Sequence, residues 1–462
     1  LTMTNPWPVA QPPKTPQSIH PGFKFADVPS AARAREIARR REIRHAVGVG
    51  LLSLMMLFTP PVVRAASQPG DEVQIVTVDD LVNTVLQHNT GLNAARRAVD
   101  IATAGITTAS AYPNPRLEMN GGRGSAITPG TTSGNIVGVG VSQLIENPAL
   151  RSARINSALF AEQGSQQAFA TTRNELVGLV RLRANEYLLR KLQAREAAES
   201  LSLLEQTRER IKVRVETGET GKLDLIRADA EIINARQREE TARLQIAQAA
   251  ITLNRLAAGR LPARWELEGN LEETRVLPLL DQIKAEALQF NPEVRLLESE
   301  LDRTKSRLEE ANASVIPGVE LRASQLREPD LRNDMVGLSV QIPILDQRRG
   351  PKAEAAADRE RVRGRLEGRR AELIQQLELS RRAVDIATVR VKALSEGAVR
   401  SSEAALRVAE AAYRFGERGI LEVLDAQRVL RAVRQDLLLA RYELQSALIE
   451  LDVLTGRYAT EK

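Results

Sequence analysis

The chain of 462 residues contains no cysteine, three histidines and only 3% aromatic residues. The first absence excludes disulfides, thiolate chemistry, Cys-type zinc sites and an amino-terminal lipid-modified cysteine. The histidines are His20, His45 and His88, and no two of them pair at metal-ligand spacing. No phosphate loop of the Gly-x-x-x-x-Gly-Lys type and no nucleophile–His constellation occurs. An enzyme, a resident metal and a cofactor are therefore not expected. Ala46 to Phe58 is an uncharged run of thirteen residues, too short to span a bilayer as a helix.

That run has the layout of a secretory signal over residues 39–66. Arg39, Arg40, Arg41 and Arg44 supply the positive start, and "VRAAS" offers small residues for cleavage near Ala65 or Ala66. The alternative is a short membrane anchor. Residues 1–38 are Pro-rich and weakly periodic, and read as a disordered extension ahead of the signal or as the product of a start site placed too far upstream. Residues 1–66 carry nine Lys/Arg and three Asp/Glu, so they account for the whole formal net charge of +6. The remainder holds 56 of each sign (65 − 9 and 59 − 3), and its neutrality removes any charge argument for nucleic-acid binding.

The rest reads as an internal duplication, residues 67–265 and 266–462, with a shift of about 200 residues, beyond ordinary solenoid periods. "LVNTVLQHNTGL" (81–92) echoes "IKAEALQFNPEV" (283–294), which places Gln87 on Gln289, His88 on Phe290 and Asn89 on Asn291. That alignment makes His88 a packed helix residue. "SAYPNPRLEM" (110–119) echoes "SVIPGVELRA" (314–323), and "NIVGVGVSQLI" (135–145) echoes "DMVGLSVQIPI" (334–344). "VETGETGKLDLIRAD" (215–229) echoes "YRFGERGILEVLDAQ" (413–427), and "ITLNRLAAGR" (251–260) echoes "IELDVLTGR" (449–457).

Long helices are expected over about 149–216, 223–257, 350–415 and 421–455. Proline is missing between Pro148 and Pro262 and after Pro351. From Leu366 to Ala412, eleven of the fourteen first and fourth heptad positions are apolar, which suits coiled-coil-like packing. A helix over 149–216 would be on the order of 100 Å long.

Strands are expected over about 115–124, 135–145, 318–326 and 335–344. Val137, Val139 and Val141 alternate with Gly138, Gly140 and Ser142; Val336, Leu338, Val340 and Ile342 alternate with Gly337, Ser339 and Gln341. Period-two alternation at this length fits a tilted strand with lipid on one side and water on the other. Two soluble hairpins packed on a core would give a similar pattern. Four strands cannot close a barrel, so the membrane reading requires several chains to pool strands, and three would give twelve.

With the duplicated helix–strand–strand–helix–helix order, "ALQFNPEV" and above all "YRFGERGILEVLDAQ", the chain resembles the TolC-like outer-membrane efflux proteins over nearly all of residues 67–462. "PNPRLEM" and "ENPALRSARI" are most similar to the heavy-metal cation (cobalt-zinc-cadmium) branch. "NPALRSAR" stands where that branch usually has Gly-Gly-Lys-Arg, and Tyr112 is the only aromatic close to a strand. The resemblance implies a mainly α fold with a membrane β-barrel: a homotrimer whose twelve-stranded barrel in outer-membrane lipid continues into a periplasmic tunnel of twelve helices. A belt near mid-tunnel would use residues 267–292 and the terminal segment. The implied function is a passive, gated duct. Its implied partners are a periplasmic adaptor and a proton-driven resistance-nodulation-division pump in the inner membrane. Alternatives are an adaptor or coiled-coil scaffold, or a family member exporting drugs or other small molecules.

Glycines 218, 221, 416 and 419 are expected to shape the left-handed turns joining the long helices. Asp224, Glu422 and Asp425 begin the return helices, where carboxylates complement the macrodipole. By resemblance, Glu422 and Asp425 match the acids ringing the family's periplasmic constriction, and Asp224 matches the acid on the partnering hairpin. Tyr413 and Arg418 match residues whose inter-helix bonds hold the mouth closed, with Arg418 expected to bond a neighbouring Asp224. The adaptor contact would be Gly218, Glu219 and Thr220 on one tip, and Gly416, Glu417 and Arg418 on the other.

Overall fold

Asparagine caps three of the described helices, at Asn89, Asn147 and Asn291. A computed structural model describes residues 73–272 and 275–460, all within the unit Pro69–Lys462. The expected leader and its signal at 39–66 lie outside the described residues. Strand β1 (Gln74–Thr77) leads into α1 (Val78–His88) through a capping box between Thr77 and Asp80. Asn89 caps α2 (Thr90–Ser110), and Asn291 caps α6 (Pro292–Ala313), which follows α5 (Leu280–Phe290). Each of these asparagines also turns its amide outward. Asn89 donates to the Leu256 carbonyl at 3.3 Å and Asn291 to the Leu454 carbonyl at 2.9 Å, satisfying the last turns of two long helices. His88, expected to pack, is exposed in the last turn of α1, where a helix C-terminus favours a basic residue.

Four strands form one antiparallel sheet in the order β2-β3-β5-β6: β2 (Arg116–Gly124), β3 (Gly134–Glu146), β5 (Gly318–Arg327) and β6 (Arg332–Val340). The register aligns Leu117, Val141, Ala323 and Val336 across the sheet, then Leu321 with Leu338 and Val319 with Val340. These positions share a face by strand parity, and Leu117, Val141, Val336 and Leu338 are exposed on it. The other face carries Arg116, Glu118, Ser142, Arg322 and Ser324. Strand β6 begins three residues before the expected 335 and stops at Val340, so Ile342 lies outside it. The ladder ends at Val319 opposite Val340, where its partner β5 itself begins.

Helix α3 (Pro148–Glu216) is one unbroken run of 69 residues, and α4 (Lys222–Leu256) returns beside it. Strand β4 (Trp265–Glu268) pairs in parallel with β1. In the second half, α7 (Arg349–Lys392) passes through a π-helical turn (Ala393–Ala398) into α8 (Val399–Arg414), and α9 (Ile420–Leu454) returns. The expected single helix over 350–415 is therefore interrupted. Leu366, Leu373, Leu377, Val384 and Ala387 are buried on the heptad seam as spaced. Beyond the π turn Leu406 is buried and Val408 is 69% exposed, so the seam has moved one residue along. A π turn accommodates one extra residue, which is the shift observed.

The core sits along these helices. Leu81 and Val85 of α1 pack with Val180 and Ala184 of α3, Leu253 of α4 and Leu267 of β4. Gly178 lets α3 and α9 approach: an added Cβ would overlap Val453 Cγ2. A second cluster, including Ile211, Ile232, Leu406, Ile420 and Val423, joins both hairpins near their tips.

Candidate functional site at the hairpin tips

The two tips reach the same backbone solution. Gly218 has φ 79° and Gly416 has φ 77°, the left-handed conformation. Glu219 N–H donates to the Arg214 carbonyl at 2.8 Å and Glu417 N–H to the Ala412 carbonyl at 2.9 Å, while Gly218 and Gly416 bond Val215 and Tyr413 at 3.2 Å. Both are Schellman motifs. Gly221 and Gly419 are not left-handed, contrary to the sequence reading: they are extended N-caps with φ −80° and −78°. One left-handed residue suffices to end a helix, and the next helix must enter from an extended residue.

The acids stand in the first turns after those caps. Asp224 is mostly covered, with Arg227 at 3.8 Å. Glu422 lies 3.9 Å from Arg418, whose side chain is exposed. Within the chain Arg418 thus faces Glu422 one turn on, rather than Asp224. Asp425 meets Arg428 at 3.1 Å, and Arg428 also reaches Glu231 of α4 at 2.9 Å. The hydrogen bond and charge of Glu231 raise the Arg428 guanidinium above its ordinary value. Glu417 is exposed, while the Thr220 hydroxyl is closed off without a hydrogen-bond partner.

Tyr413 is held by a residue that the sequence reading missed. The Arg214 guanidinium lies 4.6 Å from the Tyr413 ring centroid, donates to the Tyr413 carbonyl at 3.0 Å and the Arg414 carbonyl at 3.3 Å, and pairs with Glu219 at 3.2 Å. The first hairpin thereby grips the last turn of α8, with a charge where a helix C-terminus favours a cation. The Tyr413 hydroxyl is buried and makes no hydrogen bond. A cleft of about 350 Å³ lies beside this grip, bounded by Thr207, Arg210, Val213, Glu410 and Ile420. A sequence signal existed: Arg214 falls on Ala412 of the other copy, so the two tips could not be alike in side chains.

The opposite end of α9 holds a second missed cluster. Asp452 receives two hydrogen bonds from Arg275 at 2.8 and 3.0 Å, one from Arg457 at 3.1 Å and one from the Tyr458 hydroxyl at 3.0 Å. Burial alone would raise the Asp452 carboxyl, but the bonds and charge of Arg275, with Arg457 and Tyr458, outweigh it and hold it below its ordinary value. Burial and the neighbouring Asp452 push the Tyr458 phenol upward. Arg181 covers the Tyr458 ring at 5.4 Å and pairs with Asp79 at 2.7 Å. These contacts fasten the terminal segment to α3 and to the start of α1.

No helix among the described residues is long and apolar enough to cross a membrane. Nor, among them, are three or more His, Asp or Glu residues grouped to hold a metal ion. The profile described as Outer membrane efflux protein matches residues 81–259 and 282–457. The chain belongs to that family. Outer membrane efflux proteins are channels, not enzymes, and the TolC-like resemblance of the sequence is a true relationship. Among curated relatives, the cobalt-zinc-cadmium resistance protein CzcC of Cupriavidus metallidurans is 25% identical over 395 residues, covering 84% of this chain and 92% of its own. A membrane protein of Pseudomonas aeruginosa shares the fold at a TM-score of 0.69 and 21% identity, covering 82% of this chain and 90% of its own. The channel CusC does so at a TM-score of 0.66 and 21% identity, with coverage of 82% and 92%.

Proposed function

We propose that this outer membrane efflux protein is the exit duct of a tripartite export system. Three copies pool their strands into a twelve-stranded β-barrel in outer-membrane lipid, and their helices continue it as a periplasmic tunnel. The observation that carries this reading is the β2-β3-β5-β6 sheet, apolar and exposed on one face and, among the described residues, unpaired along both edges. Unpaired strand edges do not persist in hydrocarbon, because each free N–H or C=O there costs several kcal/mol. Further copies supply the missing partners, and lipid covers the apolar face. An adaptor or coiled-coil scaffold has no use for such a sheet.

The duct itself is passive. A proton-driven inner-membrane pump supplies energy, and a periplasmic adaptor engages the tips at Gly218, Glu219 and Thr220 and at Gly416, Glu417 and Arg418. Asp425, Glu422 and Asp224, repeated three times around the mouth, focus a negative potential that favours cations. Tyr413 and Arg418 belong to the contacts that hold the mouth shut. Opening swings the second hairpin away from the Arg214 grip, a change between packed states separated by a few kcal/mol.

Heavy-metal cations are the proposed cargo, on the strength of the relative's resistance to cobalt, zinc and cadmium. A conduit needs no tight metal site, since tight binding would slow passage. A strain lacking the protein should lose tolerance to one or more of zinc, cobalt, cadmium, nickel and copper while keeping its tolerance of hydrophobic drugs. Loss of drug tolerance alone would overturn the metal assignment and leave the duct.

A further inference from the structure

The two junctions between sheet and long helices differ. In the first half β3 runs to Glu146, whose carboxylate Arg154 binds through both guanidinium nitrogens at 2.6 and 2.8 Å, and Asn147 then caps α3. That junction is closed. In the second half, eight residues separate Val340 from Arg349, and among the described residues nothing covers their apolar members. Ile342 is 73% exposed, Ile344 74% and Leu345 99%. The strand ends at Val340, and beyond it Ile344 N–H turns back onto the Ile342 carbonyl at 3.0 Å.

Charge follows at once. Arg348 adopts a left-handed φ of 57°, rare for a residue with a side chain, and its N–H donates to Asp346 Oδ1 at 2.9 Å. Arg349 donates to the neutral Gln347 amide oxygen at 2.9 Å. Lys352 completes a set of three cations against one carboxylate, Asp346, between residues 341 and 352. Exposed apolar residues beside unneutralised guanidinium groups are the make-up of an interfacial anchor, with side chains in the acyl boundary and cations at headgroup level. The segment follows directly on β6, whose Val336, Leu338 and Val340 lie on the sheet's exposed apolar face.

We propose that residues 342–349 form a lipid-reading collar at the helix end of the sheet. Ile342, Ile344 and Leu345 enter the adjoining leaflet, and Arg348 and Arg349 bind the phosphates of anionic phospholipid headgroups. This rests on the membrane placement of the sheet proposed above. The occupant is lipid, rather than a second copy of the chain, because exposed apolar residues and cations lie side by side directly after a strand of the apolar sheet face.

The test uses the full chain in vesicles of phosphatidylcholine and phosphatidylglycerol, one of the two carrying brominated acyl chains. Leu345→Trp and Ile344→Trp report the collar, and Val336→Trp reports the sheet. All three should be quenched beyond the parent protein. The collar reporters should favour brominated phosphatidylglycerol, and the Arg348→Gln and Arg349→Gln exchanges should each lower that relative association roughly fivefold. Quenching at Val336→Trp but at neither collar site would overturn the collar and leave the membrane reading standing. Collar quenching indifferent to headgroup and to both arginines would overturn the headgroup role. No quenching at any site would overturn the membrane placement, and the collar with it.

Discussion

The hairpin tips are two answers to one backbone problem. Both end a long helix with a left-handed glycine and the same pair of Schellman bonds. The first tip carries Arg214, which reaches across to Tyr413 and Arg414; the second has Ala412 at the corresponding place and cannot return the contact. The struts behind them differ as well. Helix α3 is continuous, whereas α7 and α8 are joined through a π turn at Ala393–Ala398. Shared geometry with unequal side chains makes one hairpin the holder and the other the held. This is why the proposed gate assigns movement to the second hairpin.

The strongest test of that division lies away from the tips. Asp452 is buried among two arginines and a tyrosine, so Asp452→Ala should cost about 2–3 kcal/mol, allowing for the partial exposure of Arg275. Thermal unfolding in detergent would measure it, and single-channel conductance should not change. Because the fold holds this carboxyl low, its contribution is complete above the ordinary carboxylate value. It is lost as pH falls through the lower folded value. The parent should therefore lose stability in acid more steeply than Asp452→Asn.

Arg214→Ala should act in the opposite way. Loss of a cation–π contact and two charge-assisted bonds is worth about 1.4 kcal/mol, or roughly a tenfold rise in open population in planar-bilayer recordings. Tyr413→Phe and Arg418→Ala should raise conductance less, because the phenol hydroxyl has no partner and Arg418 stands exposed beside Glu422. An Asp452→Ala channel that opened like Arg214→Ala would erase the distinction between the two ends of α9.

The smallest contrast is between glycines. Gly416→Ala should destabilise its turn by about 1 kcal/mol, since open space surrounds the new Cβ and only the φ of 77° resists it. Gly419→Ala, at an extended cap, should cost about half of that or less by the same unfolding measurement. Equal losses would mean that the two glycines do the same work.

Much of this was legible because it was local. The period-two run at Val137–Val141 orders an amphipathic strand, proline-free stretches allow long helices, and Gly218 and Gly416 end them. What escaped was whatever depends on two distant segments meeting. Arg214 and Tyr413 are 199 residues apart, and Arg275 and Asp452 are 177 apart. Helical spacing says nothing about either pair. The π turn escaped for another reason: its heptads look regular on both sides, and only the burial of Leu406 in place of Ala405 reveals the inserted residue. Glycine type marked the turns but could not tell a left-handed cap from an extended one.

The account stands or falls on chains meeting edge to edge, and the chain's own composition makes that measurable. No native cysteine can interfere. Strands β2 and β6 of one sheet are separated by β3 and β5, roughly 14 Å at ordinary strand spacing, too far for a disulfide within one copy. Glu118→Cys combined in turn with Asn333→Cys, Met335→Cys or Gly337→Cys, the β6 positions on the same face as Glu118, should give, for at least one pair, a covalent trimer on a non-reducing gel of oxidised outer membranes. Monomers alone from every pair would contradict the shared barrel.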